Sequence, residues 1–241
     1  MKSVHLQPAY VLHRRPFRES SFLVNLFTIE YGVMTVVARG AYRGKSTMPG
    51  LLQAFIPLWV SWYGKGELVA LTHVETREQV KRLTGDTLFA GLYLNELLMR
   101  LLQKWDAHTE LYQQYAKTLR ALQCTPFQSF ILRAFEKYLL ECLGYGVLHK
   151  SDQSLATRLL PEKYYRFLPN IGFILSEAHP LPEQETNLFL GKNLLAIASE
   201  KWQDPSILMD AKRLTYYILK PLLGDKPLYS RQLFRKKYAY R

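Results

Sequence analysis

The sequence predicts an α+β protein, with an N-terminal five-stranded β-barrel of the OB type followed by an all-helical C-terminal domain. Three observations support this prediction. Apolar and polar residues alternate in five short segments before residue 80, the apolar spacing becomes helical after Gly85, and an apolar fraction of 48% is enough for two cores. We therefore expect a barrel domain over residues 1–80 and a helical domain over residues 81–241, the latter with an irregular hairpin insertion at about 145–182.

The five predicted strands are rich in β-branched and aromatic residues, as strands are. In the third strand, Met34 and Val36 fall on one face while Thr35 and Val37 fall on the other, which a half-buried strand requires. The tripeptide Gly-Lys-Gly at 64–66 predicts a tight hairpin between the last two strands, because glycine tolerates positive φ. The strand segments are AYVLHRR, SFLVNLFT, VMTVVAR, IPLWVSWY and ELVALTHV.

Helical spacing dominates the rest of the chain. Asp86 is a suitable cap for a first helix, and Gly144 is a suitable end for the third, which we expect to follow Pro126. The segment YYRFLPNIGFIL predicts a hairpin around residues 169–172, where proline, asparagine and glycine cluster. The other helices are expected at 108–122, 186–200, 207–222 and 230–237.

The charge predicts a polyanionic partner. Thirty-two Lys and Arg residues against twenty Asp and Glu give a net charge of +12, which favours nucleic acid or an anionic membrane surface. Residues 1–85 carry +6 and residues 201–241 carry +7, whereas residues 86–200 carry −1. The surplus therefore belongs to the predicted barrel and to the C-terminal segment.

The loop GAYRGKSTMPG, residues 40–50, contains the Gly-Lys-Ser that ends a nucleotide-binding P-loop. Only three residues separate its first two glycines, where a P-loop has four, and Pro49 follows where the phosphate-binding helix would begin. No parallel βαβ pattern surrounds it. The loop instead combines cations with Tyr42, the elements of a sequence-tolerant single-strand site. A solvated basic loop is the alternative.

Similar pairs of cations and aromatic residues occur between the first two strands, in HRRPFR, and at the Tyr-Gly-Lys-Gly turn. The C-terminal segment KPLYSRQLFRKK adds a second basic surface, for which a membrane-bound helix is a weaker alternative because its apolar face is small. The residues expected to contact nucleic acid are Arg14, Arg15, Arg18, Arg39, Tyr42, Arg43, Lys45, Lys65, Arg231, Arg235 and Lys236.

Motifs for catalysis and metal binding do not occur in this sequence. Its six histidines lack HxxxH or HxxEH spacing, no GxSxG motif is present, and no paired aspartates suggest a two-metal nuclease. We expect a protein that is not an enzyme and that holds no cofactor or metal. Cys124 and Cys142 lie in apolar helical patterns and are expected to be buried thiols in a reducing compartment. No signal peptide or membrane span is apparent, so a cytoplasmic location is expected.

Arg133 stands out in the helical region because it lies within the strongly apolar segment FILRAF. A cation beside apolar surface suits an acidic, aromatic peptide or a C-terminal carboxylate. A structural ion pair with Glu136 or Glu96 is the competing interpretation, and the sequence alone favours it slightly.

Several segments together resemble the RecO family of bacterial recombination mediators. They are GLYLNELLMRLL (91–102), LRAFEKYLLECLGYG (132–146), YYRFLPNIGFI (164–174), AKRLTYYILKPLLGDKPLYSRQLF (211–234), AYVLHRRPFRESSFLVNLFT and VVARGAYRGKS. The similarity follows the same order over nearly the whole chain. No single segment is a catalytic motif.

The resemblance implies an OB domain on a helical domain that binds single- and double-stranded DNA and anneals complementary strands in DNA repair and recombination. It also implies that the protein acts with RecR to load RecA on DNA coated by single-stranded-DNA-binding protein (SSB). Such a protein would be associated with the nucleoid. The resemblance also implies a pocket for the acidic, Phe-ending SSB tail. Many relatives carry a four-cysteine zinc module, but this chain has no cysteine after Gly144, so no zinc is expected. The implied tail-binding residues are Arg133, Leu139, Leu143 and Leu148.

Two other functions stay open at this stage. Phosphate neutralisation and aromatic stacking serve RNA as well as DNA, so a general RNA-binding module is compatible with the same residues. A nucleotide-dependent enzyme using Gly44, Lys45 and Ser46 is the remaining alternative, and it conflicts with the P-loop spacing described above.

Overall fold

The computed structural model describes residues 2–41, 46–123, 127–148, 158–177 and 187–233. The chain divides into two compact units. The first unit contains the described residues up to Phe127 and those from Leu228 onward, and the second unit spans Gln128–Pro227. The chain therefore leaves the first unit once and later returns to it.

The first unit contains the expected five-stranded barrel. Its strands are β1 (Lys2–Phe17), β2 (Ser21–Thr28), β3 (Gly32–Ala38), β4 (Pro57–Gly64) and β5 (Leu68–Thr76). They close in the order β1-β2-β3-β5-β4, and β1 pairs with β4. Neighbouring strands are antiparallel except β3 and β5, which are parallel. The predicted barrel is confirmed, and the turn at 64–66 has positive φ at both glycines.

Alternate residues of the strands fill the barrel. Val36 is fully buried in β3, and the residues that share its inward face with it are apolar. β1 is long enough to pair with both β2 and β4, and its register shifts between Val4 and Gln7 and again between Val11 and His13. Such irregularities increase the local twist, which allows one long strand to bend around a small barrel.

A single helical turn, α1 (Met48–Leu51), follows the basic loop. This short turn tolerates Pro49, because proline at the first helical positions removes only an N–H that would have no intrahelical partner. Ser46 does not begin a long helix; its hydroxyl accepts a hydrogen bond from the Met48 N–H. The next residue after α1, Leu52, is fully buried in the barrel core.

Two longer helices follow the barrel in the first unit, α2 (Gly85–Leu101) and α3 (Thr109–Leu122). Thr84, not Asp86, caps α2 in a reciprocal arrangement with Thr87, and Asp86 lies in the first turn. Asn95 of α2 joins helix and barrel, since its amide donates to the Leu12 carbonyl at 2.8 Å and its oxygen accepts from the Tyr115 hydroxyl.

The connection between α2 and α3 passes very close to the start of β3. Gly32 has φ +62°, and a Cβ at this position would lie 1.7 Å from the Asp106 carbonyl oxygen. The Trp105 N–H donates to the Val33 carbonyl at 2.9 Å in the same region. Only a glycine therefore fits at this junction of strand and helical connection.

The returning segment, residues 229–233, is helical and is held by α2. The Glu96 carboxylate accepts hydrogen bonds from the backbone N–H groups of Tyr229 and Ser230, both at 2.9 Å, and from the Ser230 hydroxyl. A carboxylate at these N–H groups satisfies donors that begin a helix. The rest of the helix predicted to residue 237 lies outside the described residues.

Over its described residues, the second unit combines a small sheet with the helices given below. The predicted hairpin is present as β6 (Tyr164–Leu168) and β7 (Gly172–Ser176), and β8 (Leu188–Leu190) pairs with the other side of β6. The helices are α4 (Phe130–Cys142), α5 (Gly191–Ala198) and α6 (Pro205–Leu223).

Two sequence expectations for the second unit need correction. The helix predicted from residue 186 begins at Gly191, because residues 188–190 pair with β6 instead. Cys142 is half-buried rather than buried, and Cys124 lies outside the described residues. Gly144 follows α4 with φ +80°, in agreement with its predicted role at the helix end. None of the helices in the described ranges combines the length and the hydropathy that crossing a membrane requires.

Candidate nucleic-acid interface and peptide pocket

A groove of about 380 Å³ opens on the barrel near the end of β3 and the start of β5. β3 and β5 are paired over only three residues each, from Thr35 to Val37 and from Leu68 to Ala70. The turn between β1 and β2 contributes to the groove as well, and Arg18 and Arg39 are its cations. The full lining is Phe17, Arg18, Ser20, Ser21, Val37, Arg39, Gly40, Leu68, Val69 and Ala70.

The strand register extends this groove to an aromatic side chain. Val37 of β3 is opposite Ala70 of β5, and Ala70 is opposite Tyr63 of β4. Residues directly opposite each other project from the same face of a sheet, so Tyr63 shares a face with Ala70 and Val37. Tyr63 is 43% exposed. An exposed ring on the face of Ala70 and Val37, together with the two arginines that line the groove, is a combination that suits single-strand binding.

Most of the cations predicted to contact nucleic acid on the barrel are exposed to solvent. Arg15, Arg18, Arg39 and Lys65 are all exposed. Arg18 adopts φ +54° in the β1–β2 turn, and its guanidinium lies 5.2 Å from the centroid of the Phe17 ring. Arg39 follows β3 directly, two residues beyond Val37, and therefore lies at the same end as the turn.

Arg14 and Arg231 are engaged within the first unit. The Arg14 guanidinium donates to the Pro49 carbonyl and lies 4.8 Å from the centre of the Phe22 ring, so it attaches α1 to the barrel. Arg231 donates to the Tyr93 hydroxyl at 3.2 Å and stacks on the same ring. Five predicted contact residues lie outside the described residues: Tyr42, Arg43, Lys45, Arg235 and Lys236.

A second, narrower pocket lies within the second unit. Its cavity volume is about 30 Å³, which is room for one or two water molecules. The walls are mainly apolar and include Leu140, Leu148, Trp202 and Leu214, while Arg133 and Lys137 provide cations. Any aromatic side chain would enter this pocket only if the walls moved apart.

Both cations of this pocket are paired with carboxylates. Arg133 Nη1 lies 2.6 Å from Glu136 Oε2, and these side chains are 11% and 0% exposed. Lys137 Nζ lies 2.9 Å from Glu141 Oε1 and 3.4 Å from Glu200 Oε1. The structural ion pair considered for Arg133 is thus present, with Glu136 as its partner. A carboxylate ligand here would add to a network that already contains anions.

The remaining residues assigned to this pocket are placed differently. Leu148 is buried and lines it, Leu139 is fully buried in the unit, and Leu143 is half-buried just after α4. Leu139 and Leu143 are not part of the lining. Throughout the described ranges, His, Cys, Asp and Glu side chains form no cluster of three that could hold a metal ion.

The strand order and the helical part define an OB-fold protein with a helical second half. The family model for the recombination protein O N-terminal region matches residues 1–80, and the model for its C-terminal region matches residues 82–232. The chain belongs to the RecO family of DNA repair and recombination proteins.

Relatives from three bacteria illustrate the similarity, and each is named DNA repair protein RecO. Those of Coxiella burnetii (strain RSA 493 / Nine Mile phase I) and Dechloromonas aromatica (strain RCB) are 40% identical over 232 and 238 residues. The alignments cover 96% and 97% of this chain, and 98% and 96% of the relatives. The protein of Aliivibrio salmonicida (strain LFI1238) is 40% identical over 230 residues, which is 95% of this chain and 94% of that one.

Tyr63 is not among the contact residues predicted from the sequence, although the turn Tyr-Gly-Lys-Gly pairs this aromatic residue with a cation. Its position beside the groove depends on the pairing of β4 with β5 and of β5 with β3. The alternation along the strand could have predicted that Tyr63 is exposed, because Tyr63 follows the inward-facing Trp62 and so lies on the opposite, outward face.

Proposed function

We propose that this protein binds single-stranded DNA along the barrel groove, anneals complementary strands and catalyses no chemical step. It also binds duplex DNA, and with RecR it promotes loading of RecA on SSB-coated DNA in the cytoplasm, at the nucleoid. The observation that carries the proposal is the groove with Arg18, Arg39 and the nearby Tyr63 on an OB barrel of a RecO-family chain. Cations there neutralise phosphates, and the tyrosine stacks on a base.

A salt titration tests the groove. We expect the combined variant Arg18→Asn, Arg39→Gln, Lys65→Gln to bind single-stranded DNA about 10- to 100-fold more weakly at low salt. Three lost phosphate contacts would make the slope of log affinity against log salt less steep by about 2. Asparagine is chosen at position 18 because it tolerates the positive φ of that residue. Fluorescence anisotropy of a labelled oligonucleotide measures both quantities.

The control is Lys81→Gln, Arg82→Gln, Lys117→Gln, which removes three exposed cations of the first unit away from the groove lining. We expect it to bind within about threefold of the unchanged protein, since net charge alone acts weakly at a distance. Equal losses in both variants would mean that overall charge, not the groove, governs binding. Competition between matched DNA and RNA strands then distinguishes a DNA-binding protein from a general RNA-binding module.

The pocket of the second unit is proposed to receive the C-terminal tail of SSB. Its apolar walls suit the terminal phenylalanine, and Arg133 and Lys137 suit the acidic residues and the carboxylate of such a peptide. Leu148 would contact the ring, while Leu139 and Leu143 would support the walls. Because the cavity is small and its cations are paired, binding requires that the pocket widen and that Lys137 exchange partners.

Two substitutions should change tail binding in opposite directions. Lys137→Gln removes a cation and is expected to weaken binding of an acidic, Phe-ending peptide about tenfold. Glu200→Gln removes an anion 3.4 Å from Lys137 and is expected to strengthen it about twofold to fivefold. Anisotropy of the labelled peptide at low salt measures both, with the C-terminally amidated peptide as a control. The pocket is the wrong site if both variants bind the peptide as the unchanged protein does.

A further inference from the structure

The solvent-facing side of α6 is basic and aromatic, and none of its residues belongs to the barrel groove. Met209, Lys212, Tyr216 and Lys220 are its exposed residues, and we call these four the α6 face. Met209 is 60% exposed and Tyr216 is 44% exposed, so both side chains are accessible to a ligand.

The spacing along α6 places the cations on either side of the ring. Lys212, Tyr216 and Lys220 follow each other at intervals of four residues, so they lie on one side of the helix. At 1.5 Å per residue, each lysine is about 6 Å from the tyrosine along the axis. Lys220 Nζ lies 6.0 Å from the centre of the Tyr216 ring, and the rings of Tyr216 and Tyr217 meet edge to face with 6.0 Å between centroids.

The other charges of α6 are directed into the unit. Arg213 Nη1 donates to Asp210 Oδ1 at 2.8 Å, its second nitrogen donates to the Leu188 carbonyl, and its guanidinium stacks on the Phe189 ring. Asp210 is buried and also accepts from Asn193. Burial raises the pKa of Asp210, although Asn193 and Arg213 oppose this. Since Asp210 is the single acidic residue in the sequence of α6, the exposed face presents positive charge only.

We propose that the α6 face is a second binding surface for single-stranded nucleic acid. The lysines contact successive parts of the phosphate backbone while a base stacks on Tyr216, as in sequence-tolerant strand sites. This inference rests on the proposed DNA-binding function and adds a second site for a DNA strand. Annealing brings two strands together, and a protein with one strand site in each unit holds both at once.

The charge of the face selects this partner over an apolar one. A docking site for an apolar helix would place aliphatic residues at intervals of three and four, whereas here lysines occupy two of the four positions. Exposed lysines without an acidic residue on the same face attract a polyanion, and the ring between them adds a stacking surface.

The test counts strands bound per chain. Short, non-complementary oligonucleotides are titrated into the full-length protein and three variants. The face variant is Lys212→Gln, Tyr216→Ala, Lys220→Gln, and its control is Lys163→Gln, Lys192→Gln, which removes two exposed lysines of the same unit. The third is the groove variant Arg18→Asn, Arg39→Gln, Lys65→Gln. We expect two strands per chain for the unchanged protein and the control, one for each of the others, and annealing about tenfold slower in the face variant.

Each outcome has a distinct meaning. A face variant that still binds two strands and anneals at the normal rate overturns this inference, whereas a groove variant that still binds two strands overturns the groove proposal. Tyr216→Phe alone should retain the second strand, because stacking needs the ring and not the hydroxyl. Photocrosslinking of an iododeoxyuridine oligonucleotide to Tyr216, found by mass spectrometry, would support it directly.

Discussion

Replacing Gly32 with alanine is expected to lower the free energy of unfolding by about 4 kcal/mol or more. The new Cβ would lie 1.7 Å from the Asp106 carbonyl oxygen, and its obstacle is backbone, which cannot rotate away as a flexible side chain can. Positive φ at Gly32 adds strain for any other residue. Chemical denaturation followed by tryptophan fluorescence measures the loss.

Gly66→Ala is the matched control for this prediction. Gly66 also has positive φ, but a Cβ at that position would meet nothing within 4 Å. It is therefore expected to cost only about 1 kcal/mol, the penalty of the backbone conformation. Similar losses in the two variants would contradict the close approach of β3 to the connection between α2 and α3.

Arg133→Ala is expected to lower the free energy of unfolding by about 3–5 kcal/mol near neutral pH. The substitution leaves the fully buried Glu136 carboxylate without the guanidinium that lies 2.6 Å from it. Urea denaturation near neutral pH measures it.

The double variant Arg133→Met, Glu136→Leu is the control for this pair. Removing both charges leaves apolar side chains in an apolar surrounding, so its stability is expected to lie within about 1 kcal/mol of the unchanged protein. A single variant as stable as the double one would show that the pair is not buried in solution. The same double variant separates a role of Arg133 in peptide binding from its role in folding, which Arg133→Ala alone would confuse.

Much of the fold could be predicted from local patterns. The period of two located all five barrel strands, because one face of each strand meets the core. Gly144 correctly predicted the end of α4, because glycine readily adopts the positive φ found there. Leu188 was assigned wrongly to a helix, because its pairing partner Arg166 in β6 is 22 residues away and local propensity does not include it.

The candidate sites were harder to predict because they depend on what each cation contacts. Arg14 and Arg18 look equivalent in the sequence, yet one is attached to the Pro49 carbonyl and the other is exposed. The ion pair of Arg133 with Glu136 could be anticipated from their spacing of three residues. The α6 face was not anticipated, since the sequence does not show that Arg213 turns inward while Lys212 stays outside.

The capture of residues 229 and 230 by Glu96 affects the order in which the protein can fold during synthesis. The ribosome produces the barrel, α2 and α3 early, but the segment that Glu96 holds emerges only after the whole of Gln128–Pro227. Domains otherwise fold as they emerge. The Glu96 carboxylate therefore stays solvated while the second unit is synthesised. The first unit can form its final set of hydrogen bonds only after the second unit has been made.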